Sequence, residues 1–181
     1  MTIDSAHPMQ TIFDGVLYAH YRQAYIHIKG TYDFAENVRK GQVNGLLGAA
    51  YPTTLFLTFG LHSGAVRLSV KLASLPPDLD ESWEEIVEAP FTMPETGTLG
   101  LSDWEGQLWY PIPIAPGSYR VRFSAQQFGE AEEVPESEND LNPIERYEVI
   151  FWPAARQPDQ ILKVTRPAAQ YWHDFAQGNI R

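Results

Sequence analysis

The sequence predicts an all-β chain, a single-domain antiparallel β-sandwich with a short C-terminal helix, and three observations carry that expectation. Apolar residues alternate with polar ones in segment after segment, the pattern of strands with one buried face. Turn residues separate these segments at short spacing, and 14 prolines oppose long helices. A content of 44% hydrophobic and 13% aromatic residues over 181 positions supplies a core able to offset the entropy of ordering.

Taken in order, residues 1–10 read as a flexible tail and 11–181 as the sandwich. Candidate strands follow at 13–20, 24–28 and 54–59, with one or two helical turns expected near 33–40. In the next strand Val66, Leu68, Val70 and Leu72 form the inward row, while Arg67 and Lys71 face outward. Strands at 83–92, 98–102 and 108–114 precede a second clear alternation, Tyr119, Val121, Phe123 and Ala125 against Arg120 and Arg122. The last strands are 147–152 and 161–165. Leu61-His62-Ser63-Gly64 and Glu95-Thr96-Gly97 read as hairpin turns, Ala115-Pro116-Gly117 as a further turn, and Pro76-Pro77-Asp78 as a strand stop. Residues 128–143 form a long acidic loop, a length that marks function or mobility in a compact domain. Pro167 suits the first position of a helix over 167–177, on which Ala168, Tyr171, Trp172 and Phe175 share a docking face.

Thirteen Lys and Arg against 23 Asp and Glu give a net charge of −10. That sign opposes direct binding to nucleic acid or to an anionic membrane. The imbalance is local: residues 72–145 carry a balance of −14 and the rest of the chain +4. Absence of cysteine removes disulfides, thiolate nucleophiles and cysteine-bound zinc. No signal-like or membrane-spanning apolar run is present, so the expected compartment is the cytoplasm.

Catalytic patterns are missing. Gly60-Leu61-His62-Ser63-Gly64 has the wrong spacing for a nucleophile elbow, and no phosphate loop occurs. The five histidines are scattered, with His20 and His27 the one pair that neighbouring strands would bring together, and neither a metal nor a cofactor is expected. Asp103, Trp104, Glu105, Trp109 and Tyr110 place carboxylates beside aromatic rings. This permits a carbohydrate- or small-ligand platform, although Asp103-Trp104-Glu105-Gly106 also has the composition of a turn.

Two acidic clusters remain, the first with Asp78, Asp80, Glu81, Glu84 and Glu88, the second with Glu130, Glu132, Glu133, Glu136, Glu138 and Asp140. Same-face residues on a strand stand roughly 6.5–7 Å apart, comparable with phosphates along a nucleic-acid strand. A solvent-facing row containing Glu84 and Glu88 therefore suits the phosphate channel of a basic partner such as a nuclease or toxin, and complementary charge would speed encounter. Pairing of Glu84 and Glu88 with Arg120 or Arg122 would quench that field.

The stretches Val87-Glu88-Ala89-Pro90-Phe91, Glu95-Thr96-Gly97, and Leu108 leading to Pro116-Gly117-Ser118-Tyr119 resemble the central hairpins of the competence protein J family. The run 45–50 before the strand 55–59 is similar in placement, and the likeness spans about half of the chain. The acidic stretch 128–143 and Tyr171-Trp172-His173 depart from that pattern, and no inhibitory residue transfers by position. The resemblance implies a cytoplasmic β-sandwich that neutralises a nuclease or nuclease-like toxin without catalysis of its own.

Overall fold

A computed structural model describes residues 9–31 and 37–180. The tail expected over 1–10 lies outside the described residues as far as 8, and so do residues 33–36 of the helical turns expected at 33–40; residues 37–40 form a turn. Eleven strands are present among the described residues: β1 (Gln10–Ala19), β2 (Gln23–Ile28), β3 (Leu47–Gly48), β4 (Thr54–Thr58), β5 (Gly64–Leu72), β6 (Glu85–Met93), β7 (Leu99–Asp103), β8 (Trp109–Pro111), β9 (Gly117–Gln126), β10 (Arg146–Pro153) and β11 (Gln160–Lys163). Two helices join them, α1 (Glu136–Leu141) and α2 (Pro167–Ala176).

The strands form a six-stranded sheet, β1-β5-β10-β9-β6-β11, and a five-stranded sheet, β3-β4-β2-β7-β8. Pairing is antiparallel except between β5 and β10, which run parallel. Side chains from both sheets meet in one core, including Leu17, Ile26, Leu57, Val66, Leu68, Phe91, Leu101, Phe123, Tyr147 and Phe151. The alternation at 66–72 and 119–125 is realised in side-chain direction, because each inward row is apolar and faces the core between the sheets; the opposite face is also covered in part, with Ala73, Ile150 and Trp152 forming a smaller buried cluster.

Three of the turns do not make hairpins. β4 and β5 lie in different sheets, as do β6 and β7, and β8 and β9. Leu61-His62-Ser63-Gly64 and Glu95-Thr96-Gly97 therefore carry the chain across the sandwich. Turn chemistry reverses a chain; it does not choose the sheet of the returning strand. At the first crossing the backbone passes so close to residue 129 that a methyl group on Gly60 would overlap the Gly129 nitrogen.

The C-terminal helix starts at Pro167 in its first turn, but its docking face is displaced from the expected one. Ala169 and His173 are buried, whereas Ala168, Tyr171 and Phe175 are exposed. Close approach decides this: His173 Nδ1 accepts the Gly45 backbone N–H at 3.0 Å, and a side chain on Gly45 would collide with the Trp172 carbonyl. Ala169, one turn earlier, is buried in the core between the sheets.

Candidate functional site

The first acidic cluster begins where the chain leaves β5 and crosses the outer face of the six-stranded sheet. Asp78, Asp80 and Glu81 are exposed there. The Asp80 carboxylate accepts the Ser82 N–H at 2.9 Å, and hydrogen bonding from Ser82 holds its pKa below the usual range. Glu84 receives Arg166 at 2.7 and 2.9 Å and the Gln127 N–H at 2.7 Å, which lowers its pKa, Arg166 being the chief cause.

Glu88 corrects the expected carboxylate row. It follows the expected parity, opposite to inward Val87 and Ala89, yet it is 8% exposed. Arg120 Nε donates to one of its oxygens and Arg122 Nε to the other, each at 3.0 Å. The arginines are themselves covered: Arg122 donates to the Pro77 and Asp78 carbonyls, and Arg120 to those of Gln157 and Pro158. Outward on this sheet is thus not outward to water, because the segment after β5 and the one before β11 lie over β6 and β9.

The second cluster is more ordered than a loop, with a 3₁₀ turn at Glu130–Glu133 followed by α1. Glu130 pairs with Arg166 and accepts from Gln127, while Glu132 pairs with Arg22 at 3.0 Å and accepts the His62 N–H. The Tyr18 hydroxyl donates to Glu136, and Asp140 accepts the Ala65 N–H at 2.9 Å. Glu133 and Glu138 are exposed. Arg166 therefore bridges Glu84 of the first cluster and Glu130 of the second, so the two acidic segments adjoin at the end of β9.

Polar residues that pattern reading passed over anchor this region. Glu145 is fully buried and accepts the Leu61 and Gly129 N–H groups at 3.0 and 2.9 Å, together with the Tyr147 hydroxyl. Tyr147 in turn accepts the Gly60 N–H at 2.8 Å. Burial raises the pKa of both groups, with hydrogen bonds opposing the rise at Glu145. Buried Asn139 links α1 to β5, donating to the Ala65 carbonyl at 2.9 Å and accepting the Ile144 N–H. Glu85, also buried, takes the Thr165 and Arg166 N–H groups just before α2. Isolated acids carry no periodic signature of such bonding, since their partners are distant in sequence.

The aromatic group divides. Trp109 packs edge-on to His27 at 5.3 Å and covers Gly100, whereas Tyr110 meets Phe13 at 4.6 Å. Adjacent strand residues point to opposite faces, so these two rings do not share a platform. Trp104 lies elsewhere, 4.7 Å from Tyr21. Asp103 accepts the Leu108 N–H and its carbonyl the Gly106 N–H, forming a turn that leaves Glu105 exposed. His27 bonds the Ile28 carbonyl and Ser102 and is apart from His20, which packs on Tyr18. Among the described residues no group of three or more His, Asp or Glu is placed to hold a metal ion. No described helix is long and apolar enough to cross a membrane.

This two-sheet arrangement has known counterparts. The fold is similar to that of ComJ. The crystal structure of ComJ, inhibitor of the DNA-degrading activity of NucA from Bacillus subtilis, superposes with a TM-score of 0.55 at 14% identity, covering 81% of this chain and 99% of that one. The structure named crocagin biosynthetic gene J superposes with a TM-score of 0.51 at 11% identity, over 82% of this chain and 99% of that one. No family model matches the chain, and no curated protein matches it in sequence.

Proposed function

We propose that this chain is a non-catalytic, inhibitor-type protein that engages a basic partner, a nuclease or nuclease-like toxin, through the carboxylates of its two acidic segments. The likeness to nearly the whole of ComJ, an inhibitor of a DNA-degrading enzyme, carries this reading. The bridging of Glu84 and Glu130 by Arg166 supports it, because it brings into contact the two segments that carry the exposed carboxylates Asp78, Asp80, Glu81, Glu133 and Glu138. Glu84, Glu130, Glu132, Glu136 and Asp140 shape that surface through their internal bonds, and Glu88 takes no part in it.

The test is association with a DNA-degrading nuclease of the same cell, followed by surface-immobilised kinetics and by DNA degradation. The chain should suppress degradation at stoichiometric amounts. A Glu133→Lys, Glu138→Lys variant should associate about tenfold more slowly at low salt with a similar dissociation rate, the behaviour of exposed steering charges. Undiminished degradation at excess inhibitor overturns the reading, and an unaltered association rate overturns the role of these carboxylates.

A further inference from the structure

The outer face of the five-stranded sheet carries a second feature, with chemistry opposite to the acidic segments. A cavity of ≈ 890 Å³ opens between that face, the turn at 37–41 and α2. Its described lining includes Arg22, Arg39 and Lys40 and no carboxylate, in a chain whose net charge is −10. A volume of this size lies within the range of small-molecule sites.

Arg39 forms the floor. Its guanidinium lies 4.6 Å from the Phe56 ring and 5.3 Å from the Trp172 ring. Nε donates to the Gly45 carbonyl at 2.7 Å, and Nη2 donates to the Thr58 hydroxyl. No carboxylate among the described residues pairs with it, and Nη1 bonds no described protein group. Burial lowers its pKa to about 10. The guanidinium is half-buried, and an anion at its unbonded edge would gain charge-assisted hydrogen bonds there. The other two cations differ: Arg22 is engaged by Glu132, while Lys40 is exposed.

The rim is aromatic and open. Tyr21, Trp104 and Phe175 are 54%, 40% and 43% exposed and all line the cavity. Exposed rings grouped in this way offer faces for stacking against a flat ligand. We infer that this cavity is a binding site for a small organic anion bearing a flat ring, its charged group held by Arg39 and Lys40 and its ring by Tyr21 and Trp104. The inference does not rest on the nuclease reading; the cavity touches the acidic segments only through Arg22, which Glu132 engages.

Adenosine monophosphate, inorganic phosphate and adenosine serve as probes for the full chain, with titration calorimetry and the fluorescence of Trp104 and Trp172 as readouts. The monophosphate should bind saturably and adenosine at least about tenfold more weakly, since it lacks the charge-assisted bonds; phosphate should compete with the monophosphate. Arg39→Lys, which keeps the charge and loses the fork, and Lys40→Ala should each weaken the monophosphate about tenfold. Among the described residues the Lys40 side chain holds no bond, and it is exposed, so its variant should melt like the parent and keeps the test valid if the Arg39 variant unfolds. No saturable monophosphate binding, adenosine binding as tightly as the monophosphate, or unchanged affinity in a folded Lys40→Ala protein overturns the inference.

Discussion

Glu88 lies between the guanidiniums of Arg120 and Arg122, and removing its charge leaves two cations under the covering segments with only carbonyl partners. Breaking a buried pair from one side costs far more than the pair itself contributes. Glu88→Gln should therefore lower the unfolding free energy by about 3 kcal/mol, measured by urea denaturation. Its association with the proposed partner should be unchanged. Glu133, with a chemically identical carboxylate exposed on the 3₁₀ turn, should show the reverse: charge reversal there leaves stability within about 0.5 kcal/mol, as for most surface substitutions. The sequence contains both outcomes for Glu88 in its flanking pattern, an outward position and two outward arginines on a candidate strand. What it lacks is the covering layer, because residues 73–82 and 154–159 have no strand or helix signature to reveal that they lie on a sheet face.

α2 is held at its buried side by His173, whose Nδ1 accepts from Gly45 and must be unprotonated to do so. Burial lowers its pKa from 6.5 to about 4, with Asp174 and Asp159 nearby opposing the fall. The unfolded chain then binds the proton more readily, so the contribution is complete above pH 6.5 and is lost as pH falls through 4. It amounts to about 3 kcal/mol. Glu85 and Glu145, whose pKa values are raised by burial, act with the opposite sign, so the clean measurement is the difference between parent and His173→Leu. The parent should lose stability more steeply than the variant between pH 6.5 and pH 4, with Trp172 fluorescence reporting undocking of the helix. At this scale the strands were legible because alternation of side-chain type is a local property: β5 sets Val66, Leu68 and Val70 on the core side and β9 sets Val121 and Phe123 there, although both faces of β9 and β10 are covered. The destinations of the turns after β4, β6 and β8 were not, since membership of one sheet or the other is set by contacts such as Gly60 against Gly129, which are remote in sequence. The helix face was misplaced by one position for a related reason: ring size suggests burial, while the glycine beneath the helix selects an imidazole.

Across the whole molecule the charge of −10 is not spread evenly, and some of the acidic side chains are paired with cations. Arg166 serves Glu84 and Glu130, Arg22 serves Glu132, Lys71 serves Glu148, and Glu88 is enclosed by two arginines. The surplus falls on exposed positions, among them Asp78, Glu81, Glu133 and Glu138, where like charges repel through water and are screened by salt. Opposite responses to ionic strength follow. Raising sodium chloride from about 20 to about 300 mM shortens the Debye length from roughly 20 Å to below 8 Å. Screening the surplus should raise the melting temperature of the free chain by a few degrees, as self-repulsion weakens in the compact state. The same change should slow association with a basic partner, because the field that steers encounter is the one being screened. Differential scanning calorimetry and association kinetics in matched buffers separate the two. Parallel loss of stability and association would place the surplus in internal bonds rather than at an interface, whereas a rise in one with a fall in the other assigns it to recognition.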